Sequence, residues 1–318
     1  MNIGFLMDPL SKINIKKDTT FAMLLASQAR GWKNNIILPE QVWLRDGIAW
    51  ARAQAVTVFD DAKHYYELGE TKEQPLVDLD ILLMRKDPPV NMNYIYLTYL
   101  LEQAESQGLL VLNKPSSLRD ANEKLFTAWF PQCCPKTIVT SQSDLILDFL
   151  ESVEDAVIKP LDNMGGASVF RLSKMDLNHH VIIETVTRQG TQTVMVQQFI
   201  PEITEGDKRI LMVDGEPVPY ALARVPADDD FRGNLASGAD GIGYELTDRD
   251  RWICEQVGPV LKEKGLLFVG LDVIGDYLTE INVTSPTCAR ELEQLYDIDI
   301  VGDFLDVVEN LMSANETE

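Results

Sequence analysis

The 318-residue chain is predicted to be an α/β protein whose first third forms a parallel sheet covered by helices. Short apolar segments alternate with longer helical segments in that third, which is typical of β-α-β units. Hydrophobic residues make up 45% of the chain, enough for a large core. The rest of the chain contains glycine-marked hairpins, which indicate antiparallel strands. At about 150 residues per domain, this length suggests about two domains, or one large body with a lid.

The first third is predicted to begin with a buried strand at Asn2–Met7. A helix is predicted next, running through Ala29–Arg30. Asp18 or Thr19 can cap its N-terminus, and Gly31 can cap its C-terminus. A later strand stops before Pro88 and Pro89, because a residue that precedes proline is restricted and proline donates no ladder hydrogen bond. The other predicted elements are strands at Asn35–Leu38, Ile81–Met84 and Leu109–Asn113, a hairpin of Val42–Leu44 and Ile48–Ala55, and a helix over about Asn93–Gln107.

Beyond this third the pattern predicts more strands than helices. Ser116 is expected to cap a helix over Leu118–Phe130, which Pro131 ends. The glycine-rich, polar segment 226–243 offers few apolar groups for packing, so we expect a mobile loop when the site is empty. The remaining predicted elements are strands at Ala156–Lys159, Val169–Leu172, Thr193–Phe199, Leu267–Ile274 and Leu278–Val283, a hairpin of Arg209–Val213 and Pro217–Val225, helices at Asn178–Arg188 and Asp248–Lys264, and two C-terminal helices.

Charge and cysteine content narrow the classes of function. Lys and Arg number 28 against 50 Asp and Glu, giving a net charge of −22. Because such an acidic surface repels phosphate backbones and anionic lipid, we expect neither a nucleic-acid nor a membrane partner. The apolar start is too short for a signal peptide or a membrane span. The four cysteines form no CxxC motif, which favours reduced thiols in a cytoplasmic protein.

Common catalytic motifs are missing from the sequence. It contains no GxxxxGK[ST], GxSxG or HExxH segment. The three histidines, His64, His179 and His180, offer no shared metal site, because adjacent positions on a helix diverge. Nucleophilic catalysis by a serine or cysteine that histidine activates therefore has no candidate residues.

A group of oxygen ligands is the best candidate for a metal site. Glu280 and Asn282 are two residues apart on one predicted strand and therefore share a face, and Asp272 lies on the strand before it. Two carboxylates and an amide suit Mg²⁺ held jointly with phosphate oxygens. An amphipathic hairpin with one wet face would show the same spacing.

The turn between these strands sets which residues face each other. Residue numbers of opposed pairs have a constant sum in a regular antiparallel ladder, and Asp272 faces Glu280 only if that sum is 552. A two-residue turn at Gly275-Asp276 would instead place Asp272 opposite Thr279. We therefore expect a three-residue loop or a bulge near Gly275–Tyr277.

Lysine and glycine residues indicate a phosphate site. Lys159 ends a strand and precedes Gly165-Gly166, where backbone N–H groups could approach phosphate oxygens. An ordinary glycine turn would look the same. Cations also gather in the C-terminal half, and in so acidic a chain their convergence would indicate an anion site. They are Lys208, Arg209, Arg224, Arg232 and Arg290.

Taken together, these residues describe a nucleotide site. Lys124 and Lys159 could bind phosphates under the Gly165-Gly166 loop, and Gln197, Gln198, Phe199 and Ile200 offer backbone groups to a base edge. This order of parts resembles the ATP-grasp superfamily, so we expect an ATP-grasp fold with an N-terminal parallel-sheet domain. The expected units are residues 1–122, a central lid subdomain at 123–200, and a metal- and peptide-binding subdomain at 201–318.

Longer motifs resemble those of bacterial glutathione synthetases nearly from end to end. Departures lie near His64–Glu73 and in the 226–243 loop, where Asp228-Asp229-Asp230 replaces the family's usual glycines. The matching segments are Met7-Asp8-Pro9, Ile13–Asp18, Met84–Pro89, Asn113-Lys114-Pro115, Asn122–Leu125, Lys159–Asp162, Arg232-Gly233-Asn234 and Thr279–Thr287.

The resemblance implies ATP-dependent ligation of γ-glutamylcysteine and glycine through an acyl phosphate, in a site that closes during the chemistry. It implies Mg²⁺, with Mn²⁺ as an alternative ion, at Asp272, Glu280 and Asn282. Arg209 and Arg224 would act in catalysis, and Asp207 would join the lysines and glycines at the nucleotide. The substrate residues would be Arg85, Arg232, Asn234, Gly238, Ser285, Thr287 and Arg290.

Two alternatives share these motifs. Another ATP-grasp carboxylate–amine ligase, such as a D-alanine–D-alanine or glutamate-adding ligase, would keep the metal site and change the acceptor pocket. A non-catalytic nucleotide-binding regulator would be expected to lose a metal ligand or Lys159, and the sequence retains them. The resemblance also implies a homo-oligomer, either a dimer or a tetramer.

Overall fold

The computed structural model describes residues 1–227, 230, 232–233 and 240–315. Among these residues the strands form three sheets, one for each third of the chain. Two predicted substrate residues, Asn234 and Gly238, lie outside the described residues, as do Asp228 and Asp229.

The first sheet has a parallel centre, as predicted. Strand β1 (Asn2–Met7) pairs in parallel with β2 (Lys33–Ile37) and with a later strand at Ile81–Arg85. Its side chains are apolar and buried from Ile3 onward, which is typical of a strand covered on both faces. Helix α1 (Thr19–Ala29) begins where the Asp18 carboxylate accepts a hydrogen bond of 2.7 Å from the Phe21 N–H, which confirms the predicted cap.

An antiparallel extension of this sheet contains one strand that the sequence did not predict. The predicted hairpin is present as β3 (Val42–Arg45) and β4 (Ile48–Val58). Strand β5 (Tyr66–Pro75) pairs with β4 over most of its length. Its side chains are mostly polar and exposed, so the pairing with β4, rather than a hydrophobic pattern, holds it in the sheet.

The remaining elements of the first unit lead to the site. They are β6 (Ile81–Arg85), helix α2 (Met92–Glu105), strand β7 (Leu110–Leu112) and helix α3 (Pro115–Asp120). The predicted helix over Leu118–Phe130 was wrong, because the chain leaves helical geometry after Asp120. The Asn122 side chain accepts hydrogen bonds from the Lys124 and Leu125 N–H groups there, and a 3₁₀ segment follows at Leu125–Trp129.

The middle sheet is antiparallel and carries two helices. Its strands β8 (Thr137–Thr140), β9 (Asp155–Pro160), β10 (Phe170–Ser173) and β11 (Val194–Gln198) lie in the order β10-β9-β11-β8. Helices α4 (Ser143–Val153) and α5 (His179–Val186) cover it with a core of their own around Ile146, Ile158 and Ile183. The glycine-bearing segment 161–169 joins β9 to β10.

The third sheet is also antiparallel. Its strands lie in the order β14-β13-β12-β15-β16, with helices α6 (Asp248–Glu263), α7 (Ala289–Tyr296) and α8 (Ile300–Asn315) in the same part of the chain. The strands are β12 (Asp207–Val213), β13 (Glu216–Val225), β14 (Asp240–Glu245), β15 (Phe268–Ile274) and β16 (Tyr277–Asn282).

Strand β14 corrects the prediction of a loop over 226–243. Residues 240–243 pair with β13, and Gly243 lies opposite Leu222. A Cβ at Gly243 would lie 2.5 Å from the Tyr296 hydroxyl, so glycine is required there by close packing and not by flexibility. None of the helices in the described residues is both long and apolar enough to cross a membrane.

The connection between β15 and β16 has both a two-residue turn and a bulge. The turn has two residues, Gly275 and Asp276, and Ile274 pairs with Tyr277. The register then shifts, because Leu278 pairs with Val273 while Glu280 pairs with Asp272. A bulge therefore exists, but it lies at Thr279 and not within Gly275–Tyr277.

Candidate active site

The three sheets surround a cavity of about 600 Å³. Its wall contains residues from every third of the chain, including most of those selected from the sequence. Those that line it are Lys124, Lys159, Gly165, Gly166, Gln197, Gln198, Phe199, Ile200, Asp207, Arg209, Arg224, Arg232, Asp272, Glu280, Asn282, Ser285 and Thr287.

The predicted metal ligands meet at neighbouring positions of β15 and β16. Asp272 lies opposite Glu280, and Gly270 lies opposite Asn282. The Asn282 amide nitrogen donates to the Gly270 carbonyl at 3.2 Å, which leaves the amide oxygen available as a ligand. Two carboxylates and an amide oxygen match the ligands that Mg²⁺ takes. Among the described residues no three His, Cys, Asp or Glu side chains form a metal cluster, so the amide is needed to complete this set.

Two arginines hold the Asp272 carboxylate. Arg209 donates from Nε and Nη2 at 2.5 and 3.1 Å, and Arg224 lies 3.0 Å away. Burial by itself would raise the pKa of Asp272, but the two guanidinium groups outweigh it and hold the pKa well below its usual range. Asp272 is therefore an ionised anchor for both arginines as well as a candidate ligand.

Arg209 needs a gap in the sheet surface to reach Asp272. A Cβ at Gly270 would lie 2.8 Å from Cδ and 3.1 Å from Nε of Arg209. Glycine at this position therefore lets the Arg209 side chain lie against the strand backbone.

Asp207 has a different environment from Asp272. One carboxylate oxygen accepts from Arg224 Nη2 at 2.6 Å, and the other is buried with no hydrogen-bond partner in the described part of the chain. Burial raises the pKa of Asp207 to about 7; Arg224 opposes the rise and the Asp272 carboxylate adds to it. A group that donates a hydrogen bond to this carboxylate would favour its ionised form.

Two buried lysines lie beside β16 in the cavity wall. The Lys124 ammonium donates to the Asn163 carbonyl at 2.6 Å and lies 3.5 Å from Glu280 Oε1. The Lys159 ammonium donates to the Thr279 carbonyl at 3.1 Å, and burial lowers its pKa despite the nearby Glu280. Both charges are thus partly compensated by protein groups.

The Gly165-Gly166 loop contacts Arg232. Gly165 and Gly166 both adopt positive φ, which favours glycine. The Arg232 guanidinium donates to the Gly166 carbonyl at 3.2 Å, and a Cβ at Gly166 would lie 3.3 Å from Arg232 Cδ. Gly233 packs more closely still on Asp207, where a Cβ would lie 2.6 Å from the Asp207 Cβ.

The end of β11 forms the last part of the wall. The Gln197 side chain is held by Thr137 at 3.2 Å, and the Phe199 N–H donates to the Asp155 carbonyl at 3.0 Å. The Arg171 guanidinium stacks 4.0 Å over the Phe199 ring. Residues 197–200 are therefore a fixed edge next to the lysines.

Two arginines that were selected from the sequence lie behind the wall. Arg85 donates to the Pro286 carbonyl at 2.9 Å and to Thr20 Oγ1 at 3.1 Å, and burial lowers its pKa to about 10. Arg290 binds the Ile15 carbonyl and both oxygens of Asp60. Neither side chain lines the cavity, so Arg85 supports the Ser285–Thr287 segment and Arg290 ties it to the N-terminal unit.

Sequence reasoning did not assign several residues of the wall. Asp18 was selected only as a helix cap, and Glu123 appeared only inside a matching segment. Their burial, which raises the pKa of both carboxyls, could not be inferred from spacing. The unassigned polar residues are Asn14, Lys17, Asp18, Asp87, Glu123, Thr279, Thr284 and Glu291.

Comparison with known structures identifies the fold. The chain superposes on the D-cycloserine synthetase DcsG with a TM-score of 0.69 at 13% identity, covering 98% of this chain and 99% of that one. It superposes on the ATP-grasp ligase PsnB with a TM-score of 0.62 at 16% identity, covering 100% and 98%. The fold is therefore the ATP-grasp fold.

Sequence comparison identifies the family. Residues 1–119 match the N-terminal domain of prokaryotic glutathione synthetase, and residues 123–297 match its ATP-grasp domain. The chain is 58% identical to a glutathione synthetase of Coxiella burnetii over 97% of this chain and 96% of that protein. It is 54% identical to that of Pseudomonas putida over 99% of both. The chain therefore belongs to the prokaryotic glutathione synthetase family.

Proposed function

We propose that this protein joins γ-glutamylcysteine to glycine, with cleavage of ATP to ADP and phosphate. The observation that carries the proposal is the cavity itself. It brings two lysines, two arginines and the Asp272, Glu280 and Asn282 set together, in a chain that is related over nearly its whole length to glutathione synthetases.

The reaction requires an activated carboxylate, because a free carboxylate is a poor electrophile. Transfer of a phosphoryl group to the cysteinyl carboxylate gives an acyl phosphate, and the glycine amine then displaces phosphate. Such transfers depend on positioning and on neutralising charge rather than on a covalent enzyme nucleophile. The absence of a histidine-activated serine or cysteine motif agrees with this chemistry.

The residues divide by position in the cavity. We assign Lys124, Lys159 and the Gly165-Gly166 loop to the nucleotide phosphates. Residues 197–200 would bind the base, and Asp207 would accept a hydrogen bond from the nucleotide. Asp272, Glu280 and Asn282 would hold Mg²⁺ or Mn²⁺, which neutralises phosphate charge when bound.

The peptide substrate would lie against the remaining walls. Arg209 and Arg224 would stabilise charge on the reacting carboxylate, and Ser285 and Thr287 would contact the dipeptide. Arg232, with Asn234 and Gly238, would belong to a segment that closes over the site. An acyl phosphate hydrolyses in water, so closure would protect it from hydrolysis.

The same assignments divide the chain into units. We propose that residues 1–122 form the substrate-side domain, residues 123–200 the lid subdomain, and residues 201–318 the subdomain that carries the metal.

We also propose a cytoplasmic enzyme, since its cysteines are all free thiols and its substrate ATP is cytoplasmic. A homo-oligomer, dimer or tetramer, is the expected assembly, which light scattering would measure.

The deciding assay measures ADP release with γ-glutamylcysteine as the carboxylate substrate. Glycine should support rapid ADP release with an equal amount of tripeptide, whereas D-alanine or glutamate should not. D-Alanine as carboxylate substrate serves as the control for the alternative ligase. Rapid release with D-alanine alone, or no release with the dipeptide and glycine, would contradict the proposal.

A further inference from the structure

Glu123 binds the outer edge of β16, the strand that carries Glu280 and Asn282, at two points. Its main-chain carbonyl accepts from the Ile281 N–H at 2.8 Å. Its Oε1 accepts from the Val283 N–H at 2.9 Å, the Thr284 N–H at 3.1 Å and the Thr284 hydroxyl at 2.9 Å. These contacts bracket Asn282, the last residue of β16.

The position of β16 explains why the strand needs such a partner. Among the described strands β16 is at the end of the sheet order, beside β15 alone. An edge strand presents N–H and C=O groups on its outer side that no ladder satisfies. Ile281 and Val283 are two residues apart, so their N–H groups point to the same side. Glu123 supplies the acceptors for both.

Lys159 holds the same edge further along. Its ammonium donates to the Thr279 carbonyl at the bulge, two residues before Ile281. The backbone groups of alternate residues Thr279, Ile281 and Val283 are thus hydrogen-bonded to Lys159 or Glu123 on the outer side of the strand. Glu280 and Asn282 lie between them and line the cavity. The orientation of the two ligands is therefore fixed through their neighbours.

The residue after Glu123 extends the connection to the glycine loop. Lys124 contacts Glu280 and the Asn163 carbonyl, and Asn163 lies two residues before Gly165. The main-chain link between residues 123 and 124 thus joins the strand of metal ligands to the loop assigned to the phosphates.

We propose that Glu123 is a positioning residue that aligns Glu280 and Asn282 for the metal by clamping the edge of β16. The inference rests on the proposed function, in which ATP binds together with Mg²⁺. It assigns Glu123 no contact with the reacting groups. Groups that orient metal ligands typically contribute about 10- to 100-fold to metal affinity, so their loss should weaken the contribution of the metal specifically.

The test is the gain in ADP affinity that Mg²⁺ gives, measured by calorimetry with Mg²⁺ and with EDTA. For Glu123→Ala we expect the metal-free affinity to remain within about twofold of wild type, and the Mg²⁺-dependent gain to fall by about tenfold or more. Glu123→Gln keeps an oxygen acceptor for all three donors, so the gain should stay within about threefold. Glu216→Ala removes an exposed carboxylate elsewhere and should change neither quantity.

The outcomes separate the inference from the proposed function. A full Mg²⁺-dependent gain in a folded Glu123→Ala variant would overturn the positioning role, as would equal losses in the Ala and Gln variants. If Glu123→Ala does not fold, Thr284→Val decides, because it removes only one of the three side-chain bonds. It should lower the gain by about two- to threefold, and an unchanged gain would overturn the inference. Failure of the wild type to form tripeptide would instead refute the proposed function.

Discussion

Asp272 lies opposite Glu280 because β16 has one more residue than β15 between this pair and the turn. The extra residue is Thr279, whose hydroxyl donates to the Asp272 carbonyl at 3.1 Å. Its own carbonyl accepts from Lys159. Without the bulge, a two-residue turn would place Thr279 opposite Asp272, and the two carboxylates would lie on different faces.

Glu280→Gln keeps the shape of this side chain and removes one of the two negative charges among the candidate metal ligands. We expect the Mg²⁺ concentration for half-maximal rate to rise sharply. The activation free energy of turnover should rise by roughly 3 kcal/mol, as it does when other groups that stabilise transition-state charge are lost. Steady-state rates over a range of Mg²⁺ concentrations measure both effects, and near-wild-type turnover at low Mg²⁺ would show that Glu280 is not a ligand.

Gly270→Ala tests the link between Arg209 and Asp272. The new Cβ would overlap Arg209 Cδ and Nε and approach Pro286, so the guanidinium must leave Asp272. We expect at least a tenfold loss of turnover, comparable to a misplaced catalytic group. The loss should be much smaller when Gly270→Ala is added to Arg209→Lys, because the two changes disrupt one interaction. Additive losses would mean that Gly270 acts elsewhere.

Nucleotide binding should release a proton near neutral pH through Asp207. Its carboxyl has a pKa of about 7 in the folded protein, and a hydrogen bond donated by the nucleotide would favour ionisation. Calorimetry in buffers of different ionisation enthalpy should detect the release at pH 7, and Asp207→Asn should abolish it. Heat that is independent of the buffer in wild type would contradict this role.

The same pKa shift predicts how Asp207 affects stability. The folded-state value is raised above the ordinary 3.8, so the contribution of this group to stability is fully present below pH 3.8. It is lost as pH rises through about 7. Asp207→Asn, which cannot ionise, should therefore show a shallower decline in melting temperature between about pH 4 and pH 7, the window that the two pKa values define.

Much of this arrangement could be predicted from the sequence because it depends on local chemistry. The hairpin turns at Asp46-Gly47 and Asp214-Gly215, the Asp18 cap and the buried β1 run each follow from nearby residues. The break after Asp120 was not predicted, because part of its hydrogen bonding is distant in sequence. Asn122 accepts from the Lys124 and Leu125 N–H groups locally, but Glu123 accepts from residues 281, 283 and 284, in and just after β16. Likewise Arg85 and Arg290 were expected to contact substrate, whereas their partners Pro286 and Asp60 are set by tertiary packing that the sequence does not show.

Arg232→Ala should uncouple ATP hydrolysis from peptide formation. Arg232, in the segment 226–243, donates to the Gly166 carbonyl of the glycine loop, so its loss should let water reach the activated intermediate. We expect a higher ratio of phosphate to tripeptide, with little change in melting temperature. Arg232→Lys, which keeps the charge but loses the planar group, is the matched variant and should be intermediate. A parental ratio at an unchanged rate would mean that this loop does not close the site.

The most direct test of the account follows the oxygen atoms of the dipeptide carboxylate. The protein is supplied with γ-glutamylcysteine labelled with ¹⁸O in its cysteinyl carboxylate, together with ATP and glycine, and the phosphate is examined by mass spectrometry. Activation by phosphoryl transfer predicts that one ¹⁸O atom enters the phosphate for each tripeptide formed. Unlabelled phosphate at full tripeptide yield would contradict the account, because the carboxylate would then not have been phosphorylated.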